Sequence, residues 1–212
     1  MIETEEQASQ FVADMCDSAA MERLIMFCSM LREEAARQNL VSKSSLFHMW
    51  VRHIADSAQL LSHVPRETQG VWLDLGTGAG LPGMVVALMR PNQRIRLVES
   101  RRKRIEWLEG CIDHFELRNC SVDAAKLENV ETTKVSVISA RAFAPLPVLL
   151  KLSARFSTRQ TIWLLPKGRS AEQELEDAKP ATKKLFHVEQ SVTSAEARIL
   201  VGKGQIKERQ KT

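Results

Sequence analysis

The spacing of apolar positions along the chain changes character near residue 70. Upstream it is helical. Phe11, Val12 and Met15 form one apolar face, and Leu24, Ile25, Cys28 and Leu31 recur at i, i+1, i+4 and i+7 to form another. These patterns predict helices as far as about Arg37, and a third helix over 47–61 with Trp50, Ile54 and Leu61 as packing residues. Pro65 and Gly70 then interrupt the pattern. From residue 71 short apolar runs alternate with amphipathic stretches. Val71-Trp72-Leu73-Asp74-Leu75 reads as a strand ending in a glycine-rich turn, followed by a helix through Met84, Val85 and Leu88 that stops before Pro91. A second strand over 95–98 leads to Glu99, and Ile105, Leu108, Ile112 and Phe115 mark the next helix. Further strands are expected at 135–139 and 161–165, with a helix over 147–155 between them. Alternation of this kind predicts an α/β fold with a mostly parallel sheet and helices on both faces. The last two strands, 185–190 and 197–202, are too close for a helical crossover and should pair as an antiparallel hairpin. The expected division is a helical extension (1–65), an α/β core (66–204) and a basic tail (205–212).

Composition narrows the class. At 212 residues and 44% hydrophobic, the chain is long and apolar enough to bury a full core. No apolar run reaches the roughly 18 residues that a membrane span needs. The acidic start MIETEEQASQ lacks an apolar h-region, so no secretory signal is expected. Cys16, Cys28, Cys111 and Cys120 show neither CxxC nor metal-ligand spacing and read as reduced thiols of a cytoplasmic protein. The five histidines give no ligand or triad spacing, which leaves metal and hydrolytic chemistry without support. A net charge of +4 permits a nucleic-acid partner without demanding one. Arg90, Arg94, Arg96 and the Arg101-Arg102-Lys103-Arg104 run are either a solvated face or phosphate contacts for RNA.

The candidate chemistry is concentrated in Asp74-Leu75-Gly76-Thr77-Gly78-Ala79-Gly80-Leu81-Pro82-Gly83. Glycines directly after a strand let the backbone turn sharply and approach a ligand. Gly78-x-Gly80-x-x-Gly83 matches the dinucleotide fingerprint, but Asp74 ahead of the turn would repel a pyrophosphate at the helix N-terminus. It favours instead a ligand carrying an amine and a sulfonium, S-adenosylmethionine. Glu99 is placed to accept from ribose hydroxyls, which serves either cofactor. Adenine is expected near the end of the third strand, around 125–128. No NPPY or DPPY motif follows the fourth strand and no Pro-Cys nucleophile occurs, which argues against base N6-amine methylation and covalent pyrimidine attack. Arg141 in Ser139-Ala140-Arg141-Ala142-Phe143-Ala144-Pro145, and Lys167 before Gly168, are the candidate catalytic residues. Both are expected at the ends of sheet strands, where ligands meet such a fold. On these residues alone, a methyltransferase of another substrate class and a nicotinamide-dependent oxidoreductase stay open.

Several segments together resemble the RsmG, or GidB, family of bacterial 16S rRNA guanine-N7 methyltransferases. They are Asn39-Leu40-Val41-Ser42, Trp50-Val51-Arg52-His53-Ile54-Ala55-Asp56-Ser57, the glycine segment, Ser139-Ala140-Arg141-Ala142-Phe143-Ala144 and Lys167-Gly168. The resemblance runs over nearly the whole chain from about Leu31. It implies a Rossmann-like methyltransferase with an N-terminal helical extension, transferring methyl from S-adenosylmethionine to N7 of one guanine near the decoding region. The substrate it implies is 16S rRNA or the assembling small subunit. Carried over by position, cofactor contacts fall at Gly76, Leu81, Leu127, Glu128 and Arg141, joining Asp74, Gly78 and Glu99 from the motif reading. Where the family usually has a Trp-Asn pair, this chain carries Glu34 and Ala35, and Ser42-Lys43-Ser44-Ser45 is unusually serine-rich. A monomer without membrane attachment is expected.

Overall fold

The computed structural model describes residues 1–207. Two helices open the chain, α1 (Glu5–Ala13) and α2 (Ser18–Ala35). Thr4 and Gln7 form a reciprocal capping box on α1, and Asp17 caps α2 by accepting from the Ala20 N–H at 2.7 Å. Along α2, Ala20, Leu24, Phe27, Cys28 and Leu31 are buried. Ile25 corrects the sequence reading: it is 57% exposed, and Phe27 takes the inward place.

The helix expected over 47–61 is a longer and less regular run. It comprises a 3₁₀ stretch (Lys43–His48), a π turn (Trp50–Ala55), the short α3 (Asp56–Ala58) and a second 3₁₀ stretch (Gln59–His63). The widened turn loosens the usual backbone ladder. A carboxylate from α1 makes up for this: Glu5 accepts from the N–H groups of Trp50 and Val51, both at 2.9 Å.

The α/β part contributes β1 (Val71–Leu75), α4 (Gly83–Met89), β2 (Arg94–Glu99), α5 (Arg102–His114), β3 (Cys120–Ala124) and β4 (Val137–Ser139). It continues through α6 (Leu146–Ser153), β5 (Ile162–Lys167), α7 (Ala171–Glu176), α8 (Pro180–Lys183), β6 (Phe186–Gln190) and β7 (Arg198–Lys203). The seven strands lie in the order β3-β2-β1-β4-β5-β7-β6. β1 to β5 are parallel, and β7 pairs antiparallel with both β5 and β6. The expected hairpin is therefore present. Gly202 sits opposite Phe186, where a Cβ would come within 2.6 Å of the ring. The stretch that forms α7 and α8 is polar with little apolar periodicity, so its helices leave no clear trace in the sequence pattern. Lys203 belongs to β7, and of the expected tail residues 208–212 lie outside the described residues.

Alternate residues of each strand feed two cores, one on each face of the sheet. Trp72 and Leu164 join α1, α2, the irregular run, α4 and α5; Leu73, Leu75, Trp163 and Leu165 join α6 on the other face. The N-terminal helices thus share a core with the sheet. β1 has β2 on one side and β4 on the other, so the chain reverses its winding direction there. Ligands of open α/β sheets bind beyond the carboxyl ends of the strands at such a point.

Candidate functional site

The glycine turn leaves β1 at this switch point. Gly76, Gly78 and Gly80 have φ of +62°, +59° and +96°, a region that side-chain-bearing residues enter only at a cost. At Gly76 a Cβ would stand 2.5 Å from Cδ2 of Phe143, so this position also needs the missing side chain for space. The turn is fastened to β2: the Thr77 N–H donates to the Val98 carbonyl at 3.1 Å, and the Gly78 N–H donates to Glu99 Oε2 at 3.1 Å. Glu99 Oε1 accepts from the N–H groups of Ser100 (2.7 Å) and Arg101 (2.9 Å), and Arg104 lies 3.7 Å from Oε2.

Asp74 lies under the turn and is fully enclosed. The Gly83 N–H donates to Oδ2 at 3.0 Å, and the Ser139 hydroxyl to Oδ1 at 2.6 Å; that hydroxyl in turn accepts from Trp72 Nε1 at 2.8 Å. Burial pushes the Asp74 carboxyl up to about 6, against the pull of these donors. Its charge therefore acts on the turn from beneath, through the packed backbone.

Beyond β4 and β5 opens a cavity of about 950 Å³, lined among others by Ser45, His53, Asp56, Arg141, Lys167 and Thr193. Of the residues expected from sequence, Arg141 and Lys167 meet here. Ala142 has a left-handed φ of +52°, a conformation that costs about 1–3 kcal/mol for a residue other than glycine. It separates Arg141, which turns toward the irregular helical run, from Phe143, which turns toward Gly76. Arg141 Nη1 lies 3.2 Å from Asp56 Oδ2 and donates to the Arg52 carbonyl at 3.3 Å. Lys167 is the last residue of β5, which runs two residues beyond the expected 161–165, and its Nζ is 2.8 Å from Glu174 Oε2. Burial opposes ionisation of Glu174, but Lys167, the Leu146 N–H and Ser170 together hold its carboxyl below the usual range.

Gly76, Gly78, Leu81, Glu99, Leu127 and Glu128 border the neighbouring end of the sheet and do not line this cavity. Leu81 and Leu127 are buried and Glu128 is exposed; the 3₁₀ turn Leu127–Asn129 follows β3, and Arg155 donates to the Leu127 carbonyl. The basic run does not form one uniform face. Arg101, Arg102 and Lys103 are exposed, Arg104 folds back toward Glu99, and Arg96 pairs with Asp123 at 2.9 Å. Glu34, at a departure from the family pattern, accepts from Gln38 at 2.7 Å.

Sequence reasoning missed the far wall of the cavity. His53 is buried, with Nε2 2.9 Å from the Ser45 hydroxyl and Nδ1 without a hydrogen-bond partner among the described residues. Burial, and then the charges of Arg141 and Arg52, push its imidazole down to about 4. It is neutral at physiological pH. The WVRHIADS segment marked the place, but its spacing gave no hint that Asp56 and His53 face β4. The serine-rich segment also has a local explanation: Ser42 caps the 3₁₀ stretch by accepting from the Ser45 N–H, and Ser45 reaches His53.

Parallel strands closed by an antiparallel hairpin, with a glycine turn and an acidic strand end at the switch point, define an S-adenosylmethionine-dependent methyltransferase of Rossmann-like fold. Two solved structures share the architecture. A methyltransferase from Aquifex aeolicus has a TM-score of 0.54 at 12% identity, covering 82% of this chain and 97% of that one. A variant of MtNAS in complex with S-adenosylmethionine has a TM-score of 0.54 at 16% identity, covering 94% and 83%. The family model GidB, rRNA small subunit methyltransferase G, matches residues 20–201. Ribosomal RNA small subunit methyltransferase G of Erythrobacter litoralis is 62% identical over 207 residues, 98% of this chain and 100% of the relative. This chain belongs to the GidB family.

Proposed function

We propose that this protein transfers the methyl group of S-adenosylmethionine to N7 of a guanine in 16S rRNA near the decoding region, acting as a cytoplasmic monomer on the RNA or the assembling small subunit. The observation that carries the reading is the meeting of Arg141 and Lys167 in one cavity beside the glycine turn, in a chain matched over nearly its full length by this family. Among the described residues no helix is long and apolar enough to cross a membrane.

The residues fit the cofactor. The left-handed turn at Gly76 and Gly78 offers backbone free of side chains, and Glu99, buried and fixed by three N–H donors, keeps one acceptor site on Oε2 for a ribose hydroxyl. The Asp74 carboxylate beneath the turn favours a cationic amine above it. Leu81, Leu127 and Glu128 complete the proposed cofactor contacts. Once bound, S-adenosylmethionine supplies an electrophilic sulfonium methyl.

Guanine N7 has a free lone pair and no proton to lose, so the residues need only align the reacting atoms. Arg141 and Lys167 are cations suited to orienting guanine through O6 and the phosphate oxygens, which are acceptors, while the N7 lone pair stays free to attack the methyl. His53, held neutral and hydrogen-bonded to Ser45, is not required as a base. In paired A-form RNA, N7 faces a groove too narrow for side chains, so the target base is unpaired or exposed.

The test is to map N7-methylguanine in 16S rRNA from cells with and without the gene, and to repeat the transfer with purified protein and radiolabelled cofactor. One site should vanish and return on complementation. An unchanged map would overturn the reading.

A further inference from the structure

We propose that Asp56 is a positioning residue for methyl transfer: it anchors the Arg141 guanidinium at the cavity edge and makes the N-terminal helical run part of the catalytic apparatus. The inference rests on the methyltransferase reading above. Its own support is the division of labour between the two carboxylate oxygens. Oδ2 faces Arg141 at 3.2 Å. Oδ1 accepts from the Thr193 hydroxyl at 3.0 Å and from Gln59 Nε2 at 2.9 Å. One carboxylate thus joins α3, the segment after β4 and the β6–β7 connection.

Burial suits the task. The Arg141 and Asp56 side chains are 24% and 18% exposed, sheltered enough to favour one geometry. Asp56, Arg141 and Thr193 all line the cavity. The left-handed turn at Ala142 directs the base of the Arg141 arm, but a side chain with so many rotatable bonds needs an anchor at its far end. Among the described residues, Asp56 is the carboxylate that supplies it.

Asp56→Asn tests the idea because it preserves shape. The Asn carbonyl can still accept from Thr193 and Gln59, while its amide meets Arg141 donor against donor. Methyl transfer to 16S rRNA lacking the modification, at saturating cofactor, should show kcat reduced roughly ten- to a hundredfold, as for a misplaced orienting group. The KM for RNA should change less than about threefold, because the ion pair that is removed lies within the protein. In an Arg141→Ala background the same substitution should have no further effect on kcat. Asp56→Glu, which keeps the charge on a longer arm, should recover part of the activity, and its remaining deficit should also disappear when Arg141 is alanine.

Wild-type transfer in the same assay checks the methyltransferase reading separately. With that activity present, a normal kcat for Asp56→Asn would overturn the proposal. So would an equal loss with and without Arg141, because Asp56 would then act on the fold alone. If Asp56→Asn does not fold, the Asp56→Glu cycle decides by the same criterion.

Discussion

Asp74→Asn should change how stability depends on pH, by an amount and sign that follow from its burial. The carboxyl ionises at about 6 in the folded protein against an ordinary 3.8. A shift of about two units corresponds to about 3 kcal/mol. Because the folded value is the higher one, this contribution is fully present below pH 3.8 and is lost as pH rises through 6. His53 has the opposite sign. Its folded value is near 4 against 6.5, so stability is present above 6.5 and is lost as pH falls through 4. The two windows overlap, and the two contributions nearly cancel in the wild type. Asparagine cannot titrate, so the variant loses the Asp74 dependence and keeps that of His53 and the other shifted groups. Between pH 4 and 6.5 its stability should gain about 2 kcal/mol on that of the wild type, whatever fixed offset the missing hydrogen bonds impose. Urea melts of both proteins across this range measure the difference directly. A difference constant to within about 0.5 kcal/mol, or one falling as pH rises, would show that Asp74 does not carry a raised value.

Gly78→Val should abolish S-adenosylmethionine binding in calorimetry while the fold survives, because a branched residue resists a φ of +59° and would project from the turn; retained micromolar binding would mean the turn is not the cofactor cradle. The wild type should bind S-adenosylmethionine and its demethylated product far more tightly than NAD, and comparable NAD affinity would refute the argument from Asp74. Arg141→Ala should cut methyl transfer at least tenfold under saturating substrates, whereas Arg159→Ala, before β5, should not; equal activities would remove Arg141 from the catalytic residues. Neutralising Arg101 and Arg102, both exposed, should flatten the log–log salt dependence of RNA binding by roughly 0.7 for each phosphate no longer neutralised and leave cofactor affinity unchanged; an unaltered slope would mark the run as a solvated helix face.

What the sequence disclosed depended on how far apart the cooperating residues stand. β1, the glycine turn, β2 and Glu99 were legible because strand, turn chemistry and acidic strand end follow one another within Val71–Glu99. The hairpin was legible for the same reason: the short spacing of its two strands excludes a helical crossover. The cavity's other wall was not. Asp56 meets Arg141 across 85 positions and Thr193 across 137, and no local pattern encodes such polar pairings. The helix expected over 47–61 failed as a regular element for a related reason. Its π turn places the Trp50 and Val51 amides on the Glu5 carboxylate, 45 residues upstream of Trp50, a partner that no local pattern encodes. The Ile25 misassignment is milder, since the periodicity located the helix and erred only on the edge of its buried stripe. Irregular backbone and long-range polar pairing therefore coincide at the site. The widened turn carries His53 and leads directly into Asp56, which meets Arg141 beyond β4, and a distant acidic side chain supplies two of its hydrogen bonds. Glu5→Ala should accordingly lower methyl transfer by way of Arg52, Asp56 and Arg141, even though Glu5 itself lies outside the lining of the cavity; an unchanged kcat at saturating cofactor would show that the turn holds its place without Glu5.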